Sequence, residues 1–123
     1  MALKEVLQEI VTGVEGALCA AVVRLDGAPL ETHVVDGALK LDKVAADLGV
    51  LTKVAAYAAR KMNGGPLEYC VLAAEKFVVV LSSVEVDYAL VIGLRQGGNL
   101  GRARLQMKKH LDRVASHLRQ FVP

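Results

Sequence analysis

A chain of 123 residues is long enough to bury one real core and too short for two domains, and a hydrophobic content of 54% without glycine exceeds what a small monomer readily hides. The surplus predicts self-association. The net charge of +2 combines +5 from Gly97 onward, six cations against Asp112 alone, with −3 from the rest, nine cations against twelve anions.

The three-and-four spacing of Leu3, Val6, Leu7, Ile10 and Val11 predicts a short amphipathic helix over Ala2–Thr12, closed by Gly13 and Gly16. Leu18–Leu25 and Pro29–Val35 read as two antiparallel strands joined at Asp26-Gly27, a strong hairpin signal. After Asp36-Gly37 the period lengthens, and a long helix is predicted over Leu41–Met62. Its main stripe is Leu41, Val44, Leu48, Leu51, Ala55, Ala58 and Met62, the face expected to cover a sheet. Val50, Val54 and Tyr57 point away from that stripe, beside Lys43, Asp47 and Lys61. A helix lying on one sheet needs a single apolar face, so the second stripe predicts a partner surface.

Asn63-Gly64-Gly65-Pro66 stops this helix, and strands are predicted over Leu67–Ala74, Phe77–Ser83 and Val86–Leu94. Their connections are too short for crossover helices, which makes them an antiparallel meander. Phe77 to Leu81 is apolar on both faces, as a strand covered on both sides of its sheet would be. Gln96-Gly97-Gly98 then leads into a last helix with Leu100, Ala103, Met107, Leu111, Val114, Leu118 and Phe121 on one stripe. The reading is a single α+β domain over residues 1–123, in the order α-β-β-α-β-β-β-α.

Several chemistries lack their residues. Gly93 and Gly98 have the spacing that begins a phosphate loop, but Asn99 and Leu100 stand where it needs Lys and then Ser or Thr. His110 and His117 lie about 10 Å apart along one helix face, too far to share an ion, and His33 has no ligand partner at suitable spacing. Cys19 and Cys70 read as two separate buried thiols. Ser82 and Ser83 have neither a nucleophile elbow nor an acid-base partner. No catalytic residue, metal or cofactor is expected, and the chain is not expected to be an enzyme. No stretch approaches the roughly 18 apolar residues of a membrane helix, and Lys4, Glu5 and Glu9 stand where a signal peptide would be apolar, so a soluble cytoplasmic protein without membrane insertion is expected.

The last helix carries Arg102, Arg104, Lys108, Lys109, Arg113 and Arg119. Arg102, Lys108, Lys109 and Arg113 form a candidate basic strip for an acidic protein or an anionic membrane, although cations near a helix C-terminus also favour its dipole. With two Phe, three Tyr and no Trp, nucleic acid is the weakest of these partners.

The order of elements and several strings resemble the Roadblock family, the dynein light-chain relatives, across nearly the whole chain. The strings are Val14-Glu15-Gly16-Ala17, Asp26-Gly27, Gly65-Pro66-Leu67-Glu68, and Gly98-Asn99-Leu100-Gly101 followed by Arg104-Leu105. The resemblance implies a profilin-like fold, a five-stranded antiparallel sheet with the middle helix on one face and the terminal helices on the other. It also implies a homodimer joined at the third strand and the middle helices. Here that interface would comprise Val50, Val54, Tyr57 and Lys61 with Leu67, Glu68, Tyr69, Cys70, Val71 and Leu72.

Bacterial members similar to this chain often regulate small Ras-like GTPases, so the resemblance implies such a partner, bound and in some cases activated through its own switch loops. Unlike the longer polarity regulators, this sequence is expected to have no tail beyond Pro123, which favours binding over activation. Two other functions fit the same residues: a scaffold like the dynein light chains, and a small-ligand sensor with Cys19 and Cys70 lining a pocket.

Overall fold

A computed structural model describes residues 2–37 and 39–120. In chain order the elements are α1 (Leu3–Thr12), β1 (Ala17–Arg24), β2 (Pro29–Val34), α2 (Leu41–Lys61), β3 (Cys70–Ala73), β4 (Phe77–Val84), β5 (Tyr88–Arg95) and α3 (Leu100–Arg119). The strands form one antiparallel sheet in the order β2-β1-β5-β4-β3, with β1 paired to β5 rather than to β3.

Two apolar layers hold the sheet. On one face, Val6, Leu7 and Ile10 of α1 and Met107, Val114 and Leu118 of α3 belong to one cluster with Ala20, Val22, Val80, Leu90 and Ile92. On the other, Leu41, Ala45 and Leu48 of α2 cluster with Cys19, Ala21, Val23, Val79, Leu81 and Val91. The three inner strands therefore need apolar side chains at successive positions, which is why β1, β4 and β5 show little alternation in the sequence. Full burial of each large aliphatic side chain contributes about 1.5–3 kcal/mol. The fold is the expected one: α+β, with the middle helix alone on one face.

Most element boundaries shift by one residue from the sequence reading, two strand starts shift further, and one stripe differs. The buried face of α2 runs through Leu41, Ala45, Leu48, Gly49 and Thr52, while Ala58 and Met62 are exposed and Val44, Leu51 and Ala55 are half-buried. The face is turned toward small residues because α2 lies close over the end of β1: a Cβ on Gly49 would stand 3.0 Å from the Leu25 carbonyl oxygen. Thr52 tolerates full burial because its hydroxyl donates to the Leu48 carbonyl at 2.8 Å.

The third strand begins at Cys70 and not at Leu67, and the fifth begins at Tyr88 and not at Val86. Val86 is 84% exposed in a turn where Glu85 takes φ 53°, so it belongs to the turn despite its strand-forming type. The fourth strand extends one residue further than expected, through Val84. Phe121, placed on the last helix stripe by its spacing, lies outside the described residues.

Glu9 ties α1 to α3. Its carboxylate accepts from Arg113 Nη1 at 2.6 Å and Nη2 at 3.3 Å, and lies 3.4 Å from Nε2 of the buried His110, whose Nδ1 is 2.9 Å from the Gln106 carbonyl oxygen. The Arg113 hydrogen bond holds the Glu9 carboxyl below its ordinary value of 4.5. A depressed carboxyl contributes stability that is fully present above the unfolded value and is lost as pH falls through the folded one. Glu9→Gln is therefore expected to flatten the acid limb of the stability profile below pH 4.5 while changing its slope little above. Urea melts at stepped pH check this; parallel profiles for the two proteins would remove Glu9 from the acid response.

Candidate functional site

A row of exposed apolar side chains lies on α2. Val50, Val54 and Tyr57 are 56%, 59% and 57% exposed on the helix face turned from the sheet, and Lys61 Nζ sits 5.5 Å from the Tyr57 ring centre. The ammonium shields one side of the ring, and the rest of the stripe meets solvent. Three large apolar side chains thus stand in a row on a helix whose other face already covers a sheet, the kind of surface expected at protein contacts.

β3 supplies the second part. It is an edge strand of four residues, hydrogen-bonded to β4 on one side and open on the other. Residues opposite each other in an antiparallel pair share a face. Cys70 and Leu72 pair with Leu81 and Val79 and so project toward the α2 side, whereas Val71 pairs with Val80 and projects toward the α1 and α3 side. Leu72 is 43% exposed. An open edge flanked by exposed Leu72 and Val71, with an unpartnered helix stripe on the Leu72 side, suits a second sheet edge better than a small ligand.

Leu67, Glu68 and Tyr69, expected within the strand, precede it. Tyr69 turns toward α3, packs against the core of that face and lies beneath the Arg104 guanidinium, 4.0 Å from the ring centre. The ten candidate interface residues thus fall into three groups: Val50, Val54, Tyr57 and Lys61 on α2, Cys70, Val71 and Leu72 on the strand, and Leu67, Glu68 and Tyr69 in the approach to it. Arg104 was not among them; a cation 35 positions from its aromatic partner leaves no local signal in the sequence.

Half of the basic strip is tied down. Arg113 is paired with Glu9, Arg102 Nε donates to the Gly13 carbonyl at 3.0 Å, and the Arg102 backbone N–H caps onto Asn99 Oδ1 at 2.9 Å. Arg119 meets Glu85 at 2.6 Å. Lys108 and Lys109 are exposed and form no ion pair among the described residues. What reads as one charged face is mainly a set of clamps from α3 to α1 and to the β4–β5 turn, with Lys108 and Lys109 left facing solvent.

Cys19 is fully buried and its thiol is pushed up to about 11 by that burial. Cys70 is half-buried on β3, and β5 and β4 lie between the two, roughly 14 Å at ordinary strand spacing. They do not share a pocket. Gly93 is a β5 residue facing α2, where a Cβ would come within 2.5 Å of Leu39 Cδ2 and 2.7 Å of Cys19 Sγ; close packing, not phosphate, accounts for it. Among the described residues no group of three or more His, Cys, Asp or Glu is placed to hold a metal ion, and no helix is long and apolar enough to cross a membrane.

No protein-family model matches the chain, nor does any curated protein sequence. Solved structures do. A Roadblock/LC7 domain from Streptomyces avermitilis is 18% identical with a TM-score of 0.82, the match covering 97% of this chain and 99% of that one. An MglB in a tetrameric arrangement is 18% identical with a TM-score of 0.85, covering 98% and 90%. MglC from Myxococcus xanthus is 28% identical with a TM-score of 0.71, covering 94% and 98%. Profilins share the arrangement at lower similarity.

Proposed function

We propose that this chain, which has the Roadblock/LC7 fold, is a homodimeric, non-catalytic regulator that binds a small Ras-like GTPase. The observation that carries the dimer is the exposed Val50, Val54 and Tyr57 stripe together with the open β3 edge. Two copies related by a two-fold axis would pair β3 with β3 and pack α2 against α2, satisfying unmatched backbone groups and burying the stripe at once. The tetrameric arrangement of the similar MglB is consistent with self-association.

The GTPase is proposed from the resemblance to bacterial Roadblock proteins. Nucleotide chemistry would remain with the partner, which the dimer would influence by ordering its switch loops. Light-scattering chromatography of the chain, alone and with a Ras-like GTPase of the same organism loaded with a GTP or GDP analogue, tests both parts. The expected result is a dimer whose mass rises with the GTP-form partner, accompanied by altered nucleotide turnover. A strict monomer removes the dimer; a complex indifferent to nucleotide that leaves turnover unchanged assigns the chain to scaffolding instead.

A further inference from the structure

The late start of β3 leaves a groove. Strand pairing between β3 and β4 ends at Cys70 opposite Leu81, so Ser82 to Val84 have no strand beside them on that side. Pro66 contributes no backbone N–H, Tyr69 stacks against Arg104 of α3, and the chain from Pro66 to Tyr69 lies outside the strands. Between this segment and α3 lies a cavity of about 600 Å³ open to solvent, lined by Tyr69, Ser82, Met107 and Leu111, with Leu67 and the 52% exposed Leu105 also on its walls. Ser82 is 1% exposed, and its hydroxyl makes only a long 3.4 Å hydrogen bond to the next carbonyl, leaving capacity for a better acceptor.

We infer that this groove is a docking site for an amphipathic, acidic helix of a partner protein. Charge selects the sign: Arg104 and Lys108 line it, one helical turn and about 6 Å apart, against Glu68 as the one anion in its lining. Carboxylates at i and i+4 of an incoming helix have the same spacing. Shape selects the helix. The α3 wall presents Gly101, Arg104, Leu105, Lys108 and Leu111, a three-and-four ridge into which a second helix interdigitates, and it extends about 15 Å, three turns. A concave trough receives a convex rod; a flat membrane would touch its rims and leave the floor empty. The site lies on the α1 and α3 side, away from the α2 stripe, and does not depend on the GTPase being the partner.

The test uses fluorescence anisotropy with a labelled synthetic helix of about 18 residues, Leu on one stripe and Glu on its flanks, beside a counterpart with Lys for Glu. The Glu peptide is expected to bind the whole chain, to weaken about tenfold with R104E/K108E, and to yield to the Lys peptide in that variant. Because Arg104 stacks on Tyr69, K108E alone serves as the second variant; Lys108 makes no hydrogen bond or ion pair among the described residues, and a weakening of severalfold is expected. Equal binding of both peptides, or no response to either variant, overturns the inference. Binding of the chain to phosphatidylserine vesicles in place of the Glu peptide overturns it in favour of lipid. Conversion of a dimer to a monomer by Leu105→Glu overturns it in favour of a second copy in the groove.

Discussion

Val54→Glu is expected to abolish the proposed dimer while leaving the fold intact. Full burial of a valine contributes about 1.5–3 kcal/mol, of which Val54, 59% exposed, has about 1–2 kcal/mol left to gain; on a two-fold axis each substitution is felt twice, so the loss is about 2–4 kcal/mol before the cost of desolvating two carboxylates. That weakens the proposed dimer by roughly thirtyfold to a thousandfold, and the desolvation cost adds to it. Val54 is 59% exposed in the single chain and touches neither apolar layer, so the variant's secondary structure should match the parent's. Sedimentation velocity across a concentration series reads the result. An unchanged dimer would place self-association on some other face, and an unfolded variant would mean that Val54 supports the chain itself.

Gly16→Ala is expected to cost about 2–4 kcal/mol, the left-handed backbone accounting for about 1 and steric displacement for the remainder. Gly16 sits at φ 85°, and a Cβ there would stand 2.7 Å from the Gly98 backbone Cα. The neighbouring hydrogen bonds leave little room to retreat: Arg95 N–H donates to the Gly16 carbonyl at 2.9 Å and Asn99 N–H to the Glu15 carbonyl at 3.0 Å. A drop in Tm of about 10 °C should follow. Gly65 separates the two causes, because it has φ 84° with nothing within 4 Å of a Cβ, so Gly65→Ala should lose only the conformational part, about 1 kcal/mol. Equal losses at the two sites would mean that the Gly16–Gly98 approach carries no energy.

That approach also explains why scattered strings were informative. Val14-Glu15-Gly16-Ala17 and Gly98-Asn99-Leu100-Gly101 are more than eighty positions apart in sequence and meet where α1 hands over to β1 and β5 hands over to α3. Element types were legible because their periods are strong: Val6, Leu7 and Ile10 repeat as a helix must, and β4 is apolar at successive positions as a doubly covered strand must be. The exposed stripe on α2 was legible for the same reason. The buried face of α2 was legible only in part, at Leu41 and Leu48, because Gly49 and Thr52 are not read as apolar, and only the nearness of β1 makes smallness the requirement there. The start of β3 was hidden because Leu67 to Tyr69 have strand-like side chains, and what removes them from the sheet is Arg104 and the core beneath α3, far along the chain. Charge on α3 was visible, but its division between structural clamps and free lysines depends on Glu9, Gly13 and Glu85, which no spacing connects to it.

The sheet order β2-β1-β5-β4-β3 fixes when this protein can become a protein during synthesis. β1 and β2 can meet as a hairpin soon after they leave the ribosome, but β1 waits for β5, more than half the chain later, to cover its other edge. A closure that bridges so many residues must meet its entropy before any contact repays it. Until then Val22 and Val23, which end up buried on opposite faces, lack the strand and at least one of the helices that shelter them. Until β5 has emerged and paired, the nascent N-terminal half keeps apolar surface exposed, and slow synthesis between β1 and β5 would prolong that exposure.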